Sequence, residues 1–245
     1  MSISSSRRLH IFSLAFTTVL LAPSAASAEG PPVELGGTLA LASDYVFRGV
    51  SQTMGRTALQ AGADAAMPGG VTLYGWASNV DFTAPGDPDD GADVEIDLGI
   101  NVELDIGAAG LLQGGLVRYL YPDVAPGVDY DYTEWLLVWT FRERLCAELT
   151  YSDDVFGVGE PGWAWQVGWT QPLFERLSLA ITYGRYELDQ AYGSDYGYGE
   201  ITLSREIGPV TVALAYSDTS AGADALFPAA TIGDRFVASV ELSLR

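Results

Sequence analysis

Val94-Glu95-Ile96-Asp97-Leu98-Gly99-Ile100-Asn101-Val102-Glu103-Leu104-Asp105-Ile106 alternates without a break. The even positions are all large aliphatics. The odd positions are Glu95, Asp97, Gly99, Asn101, Glu103 and Asp105. A period of two sends the two sets to opposite faces of one strand. The run is about twice the length of an ordinary soluble strand, and four carboxylates lie on one side of it. A wall between lipid and water satisfies both faces: aliphatics outward, acids inward, and enough length to cross a bilayer at a tilt.

The same alternation recurs along the chain. It predicts strands over 33–49, 57–67, 71–82, 94–106, 111–121, 130–141, 144–152, 163–171, 177–187, 196–205, 210–217 and 235–244. The connections sort into two kinds. Tight turns at Met67–Gly70, Gly107–Gly110, Arg142–Arg144, Pro172–Arg176 and Glu206–Pro209 alternate with longer, acidic connections. The expected fold is therefore an all-β transmembrane up-and-down antiparallel barrel of about twelve strands, with the tight turns on the periplasmic side and the long connections outside. Gly197 and Gly199 suggest a bulge in the tenth strand.

The N-terminus supplies a route to the membrane. Arg7 and Arg8 precede an apolar stretch from Ile11 to Ala22, and Ala26-Ser27-Ala28 is a small-residue cleavage site. Residues 1–28 read as a secretory signal peptide, too short in their apolar part for a transmembrane helix, and residues 29–245 as the barrel.

Composition removes whole classes of chemistry. The net charge is −20 and the chain has no Lys, which argues against a nucleic-acid partner. The only His is His10, inside the signal, and the only Cys is Cys146. A mature chain of this kind cannot run a His-dependent triad, hold a zinc site that needs His, or form an intrachain disulfide. No feature singles out a carboxylate pair for hydrolysis, so no enzyme activity and no cofactor are expected. The acidic run Asp87-Pro88-Asp89-Asp90-Gly91-Ala92-Asp93-Val94-Glu95 does not follow the EF-hand spacing and reads as a solvated external loop, with calcium binding as the alternative.

Functional residues are sought on the inward register: Asp44, Arg48, Asp64, Asp81, Glu95, Asp97, Glu103, Asp105, Arg118, Glu134 and Glu148. Two readings of this set are compatible. Arg48 and Arg118 brace the lumen against the acids, or the surplus of acids sets a cation preference. Tyr45, Phe47, Tyr74, Trp76, Phe82, Tyr119 and Tyr121 are expected on the outward register with the other aromatics, as interfacial belts. The expected function is passive diffusion of small solutes or cations through an outer-membrane pore. The alternative is a sealed structural or adhesion barrel working through its acidic loops. Expected partners are outer-membrane lipid, the barrel-assembly machinery during insertion, and further copies of the chain in an oligomer.

Ser43-Asp44-Tyr45-Val46-Phe47-Arg48-Gly49-Val50-Ser51-Gln52-Thr53 is similar to the opening of a bacterial family of TorF-type porins. The likeness continues in Ala77–Phe82, Glu95–Leu98, Tyr119–Pro122 and Tyr132–Glu134, in order over most of the chain. The resemblance implies an outer-membrane barrel and a pore, and it brings no catalytic residues. Chains of this kind usually end in an aromatic residue; this one ends Leu242-Ser243-Leu244-Arg245.

Overall fold

The alternation of strands and turns closes on itself. The computed structural model describes residues 33–83, 91–122 and 124–244. The expected signal peptide and the acidic positions Asp87, Asp89 and Asp90 lie outside them. Twelve antiparallel strands form a closed barrel: β1 Glu34–Ala42, β4 Ala58–Met67, β5 Val71–Asn79, β6 Val94–Asp105, β7 Leu111–Leu120, β8 Tyr132–Phe141, β9 Leu145–Ser152, β10 Gly162–Phe174, β11 Leu177–Glu187, β12 Tyr196–Ile207, β13 Val210–Thr219 and β14 Arg235–Leu244. Each wall strand pairs with the next in sequence, and β14 returns to β1. Two further short strands, β2 Val46–Phe47 and β3 Val50–Ser51, form a separate hairpin.

The outer face is a continuous apolar belt. Leu35, Leu59, Leu98, Val102, Leu137, Ile181, Leu214 and Val240 all expose large hydrophobic surface. Monomeric soluble proteins rarely expose so extended an apolar surface, which marks a protein or membrane contact. At the end carrying the long connections, outward rings of neighbouring strands pack against one another at tilted angles. Tyr151 lies 4.3 Å from Trp163, Trp165 lies 6.0 Å from Tyr183, and Tyr216 lies 5.1 Å from Phe236, centroid to centroid. Rings with polar edges at the rim of an apolar belt match the amphipathic boundary of a bilayer.

Three sequence expectations need correction. First, the wall strand β1 stops at Ala42. Residues 43–57 leave the wall, and β2 and β3 fold inward from that connection. Second, the faces of β5 and β7 are reversed. Tyr74, Val117 and Tyr119 are buried inside the barrel, Tyr121 is buried just beyond the end of β7, and Leu73 is exposed outside. Arg118 pairs with Thr133, one position off the inward Val117–Glu134 pair, so it lies on the outward register. Third, β12 runs in continuous register past Gly197 and Gly199; the register shift falls at Pro172 in β10.

Candidate functional site: a hairpin inside the barrel

The hairpin owes its shape to two residues. Phe47 pairs with Val50, so Arg48 and Gly49 form a two-residue turn. Both have positive φ, 48° and 82°. That is the type I′ pattern, which favours Asn-Gly and suits Gly at the second position. An Arg at the first position carries a left-handed penalty of roughly 1–2 kcal/mol. Its side chain offsets that penalty.

Arg48 is 6 % exposed and points across the lumen to Glu134, 2 % exposed, on β8. The contact is a two-pronged one. Nη1 donates to Oε1 and Nη2 to Oε2, both at 2.8 Å, and Nη2 also donates to Thr150 Oγ1 at 2.9 Å. The Tyr119 and Tyr186 hydroxyls donate to the two Glu134 oxygens at 3.3 and 3.4 Å. The guanidinium lies 4.5 Å from the Phe47 ring centroid and 4.4 Å from that of Tyr186. A buried charge pair is tolerable only when hydrogen bonds engage both ions, as they do here.

A second clasp holds the base of the hairpin. Asp44 Oδ1 accepts from the Ser51 hydroxyl at 2.6 Å and from the Thr53 hydroxyl at 2.8 Å, and Oδ2 accepts from Arg235 Nη1 at 2.8 Å. The Ser51 amide donates to the Thr231 carbonyl at 2.8 Å. The loop is thus tied to β8, to β9, to β14 and to the connection before β14.

Of the residues expected inward, Asp44, Arg48, Glu95, Asp97, Glu134 and Glu148 are buried within the barrel. Asp64 is on the inward register, its carboxylate lying against Gly36 of β1. Glu103 is half-buried toward the tight-turn end, and Asp105 is exposed there, accepting from the Gly107 amide at 2.7 Å. Asp81 lies beyond β5 at the long-connection end, paired with Arg56. Arg118 sits outside the lumen with Asp131, at 3.5 Å. Arg235 is the lumen cation that local sequence does not reveal, and Glu200 a buried acid of the same kind, accepting from the Thr202 hydroxyl at 2.6 Å.

The charge pattern separates two groups. Glu134 and Asp44 are matched by Arg48 and Arg235. Glu95 and Asp97 adjoin each other and meet no basic side chain among the described residues. Glu95 Oε1 accepts from the Tyr45 hydroxyl at 3.4 Å.

Tyrosines complete this layer. Tyr119 and Tyr132 stack at 4.4 Å with 12° between planes. Tyr74 lies across Gly99 and Tyr198 across Gly184, their cross-strand neighbours, where a Cβ would enter the phenol ring. Gly99→Ala is expected to cost about 1–3 kcal/mol by overpacking, while Gly69→Ala, at a turn with open space, costs only its backbone strain. Urea unfolding of the two variants in lipid vesicles checks the order.

A closed antiparallel barrel, apolar outside and acidic inside, defines the outer-membrane porin-like fold. The chain belongs to a bacterial family described as proteins of unknown function, Gcw_chp, whose model matches residues 25–242. No curated protein matches it in sequence. Among solved structures it is similar in fold to the KdgM porin, with 6 % identity, TM-score 0.53, and coverage of 86 % of this chain and 99 % of that one. The NanC porin gives 9 % identity, TM-score 0.54, and 86 % and 100 % coverage. It is also similar in fold to the KdgM porin in complex with disordered oligogalacturonate, at 6 % identity, TM-score 0.52, and 86 % and 99 % coverage.

Proposed function

We propose that this chain is an outer-membrane channel for passive entry of small solutes, narrowed by the inward hairpin and preferring cations. The observation that carries the reading is the construction of the constriction. It is a loop hairpin held to the wall by side-chain bonds, inside a wall with an apolar exterior and an acid-rich interior. The family likeness seen at Ser43–Thr53 falls on this same hairpin, and the TorF-type resemblance supports the same class. The long connections face outward and the tight turns face the periplasm.

Cation preference is assigned to Glu95 and Asp97. Negative charge that meets no basic side chain inside the barrel attracts cations and repels anions. Glu134 and Asp44 contribute less because each is matched by an Arg. The preference is expected to grow at low salt, where the screening length is longer.

Planar-bilayer recording tests both parts. The wild type is expected to give small, cation-selective steps. Replacing Val46–Ser51 by a Gly-Ser loop is expected to raise conductance several-fold. Glu95→Gln with Asp97→Asn is expected to move the reversal potential toward zero, and Glu103→Gln with Asp105→Asn to move it less. A folded loop-replaced barrel with no conductance defeats the channel reading. The alternative is then the sealed barrel that works through its long connections, which the burial of Arg48 and Glu134 favours. Anion preference in the wild type defeats the charge assignment alone.

A further inference from the structure

The long-connection end of the barrel holds a pocket of about 270 Å³ above the hairpin. Each of the six long connections sends at least one aromatic ring to its wall. Phe47 comes from the hairpin, Phe82 from the β5–β6 connection, Tyr130 from β7–β8, Phe156 from β9–β10, Tyr192 from β11–β12 and Phe227 from β13–β14. One ring from each of six separate segments converges on one space. Loops at the wet end of a barrel have no need of such rings for the wall, which is complete without them.

The rings pack against one another at the sides of the pocket without filling it. Phe82 and Tyr130 lie 5.5 Å apart edge to face, and Phe156 and Tyr192 lie 6.2 Å apart. Tyr192 remains 45 % exposed. A loop core built only for stability buries its rings and closes the void, since unfilled apolar space forfeits contact energy.

The lining also defines what fits. In a chain with a net charge of −20, no charged side chain lines the pocket among the described residues. Several polar side chains at the wall are already engaged: Ser51 on Asp44, Gln52 on the Val50 carbonyl, Thr231 on the Pro228 carbonyl and Tyr186 on Glu134. Partial burial raises the Tyr192 phenol above its ordinary value, so it too presents a neutral group. What faces the space is mostly ring surface and aliphatic carbon. Met54 adds a flexible thioether at the same wall. A sugar acid or an amine finds no counter-charge there. The volume is nearly twice the ~150 Å³ apolar cavity that takes a single benzene, which matches a molecule of one or two fused rings.

We propose that this six-loop aromatic pocket binds a small neutral aromatic molecule of one or two rings, as the outer entry site of the barrel. Its role as an entry site rests on the channel reading; the binding does not. Offset and edge-to-face ring contacts hold such a molecule at several sides at once, and the hairpin beneath prevents direct passage until it shifts.

The test uses the full-length mature protein in lipid nanodiscs, with empty nanodiscs subtracted, and 2-naphthol as the probe. Fluorescence polarisation is expected to show saturable binding at one site per chain. Naphthalene-2-sulfonate, a naphthylmethylammonium ion and galacturonate are expected to bind at least ten-fold more weakly. Phe82→Ala with Phe227→Ala is expected to weaken 2-naphthol at least ten-fold, and Phe236→Ala on the outer face to leave it unchanged. If the double variant fails to assemble, protection of Tyr192 from nitration by 2-naphthol in the wild type gives an independent reading. Absence of saturable binding, tighter binding of the charged probes, or binding indifferent to the ring deletions without Tyr192 protection overturns the proposal. Binding with no conductance removes the entry role and leaves the pocket; conductance without binding leaves the channel and removes the pocket.

Discussion

Arg48→Ala is expected to destabilise the barrel by about 3–5 kcal/mol, because it strands Glu134 as a buried charge. Only the Tyr119, Tyr186 and other neutral contacts of Glu134 would remain, at 3.3 and 3.4 Å for the two phenols. Glu134→Leu, which strands Arg48, is expected to cost a similar amount. The paired change Arg48→Met with Glu134→Leu removes both charges and is expected to recover most of the loss, as replacement of buried ion pairs by apolar groups often does. Arg48→Asn suits the turn better than Arg, since Asn tolerates the left-handed region, yet it is expected to remain well below wild type. The measurement is urea unfolding in lipid vesicles, with the temperature of the heat-dependent gel shift as a second readout. If the paired variant is as unstable as Arg48→Ala, the ion pair is not what holds the hairpin.

Leu98→Arg is expected to cost about 2–4 kcal/mol in a bilayer, and Leu104→Arg about 0–1 kcal/mol, since the penalty for a charge on the lipid face falls steeply from midplane to interface. Both side chains point outward from β6, 51 % and 58 % exposed, so neither change disturbs the lumen. Leu98 is near the middle of the strand and Leu104 one residue from its end. Unfolding of the two variants in vesicles separates depth from hydrophobicity: equal costs would mean that the belt is not spanned as described.

The wall was legible in the sequence where polarity is dense. In β6 four acids alternate with six aliphatics, and both faces follow that pattern. β5 and β7 have too few polar residues to orient themselves. β5 sets Thr72 and Ser78 against Asn79, and β7 sets Gln113 against Arg118. A tyrosine then decides the register, and tyrosine suits both a membrane interface and a hydrogen-bonded lumen. Gln113 shares a face with Tyr119, and Ser78 with Tyr74; those two residues were the available signal. The hairpin escaped notice because alternation persists from Leu39 through Phe47, and a period of two does not tell a wall strand from a short ribbon. Its turn signal, Gly49 after Arg48, was present but lacked the usual Asn or Asp. Arg235 had no local signal at all, since its partner Asp44 lies 191 residues away.

The meeting of β1 and β14 has a kinetic consequence. Among the described wall pairs it has the shortest register, Gly37–Ala42 against Ser239–Leu244, and it joins segments far apart in the sequence. All other wall pairs are sequential neighbours that can zip as hairpins, so this seam forms last and carries the largest loop-closure entropy. Asp44 follows β1 by two residues, and Arg235 opens β14. The Asp44–Arg235 clasp therefore straddles the seam at its long-connection end. Until the last strand arrives, the base of the hairpin lacks its ionic anchor. Sealing the cylinder and seating the hairpin become one concluding event, with β14 acting as the latch for the segment that follows β1.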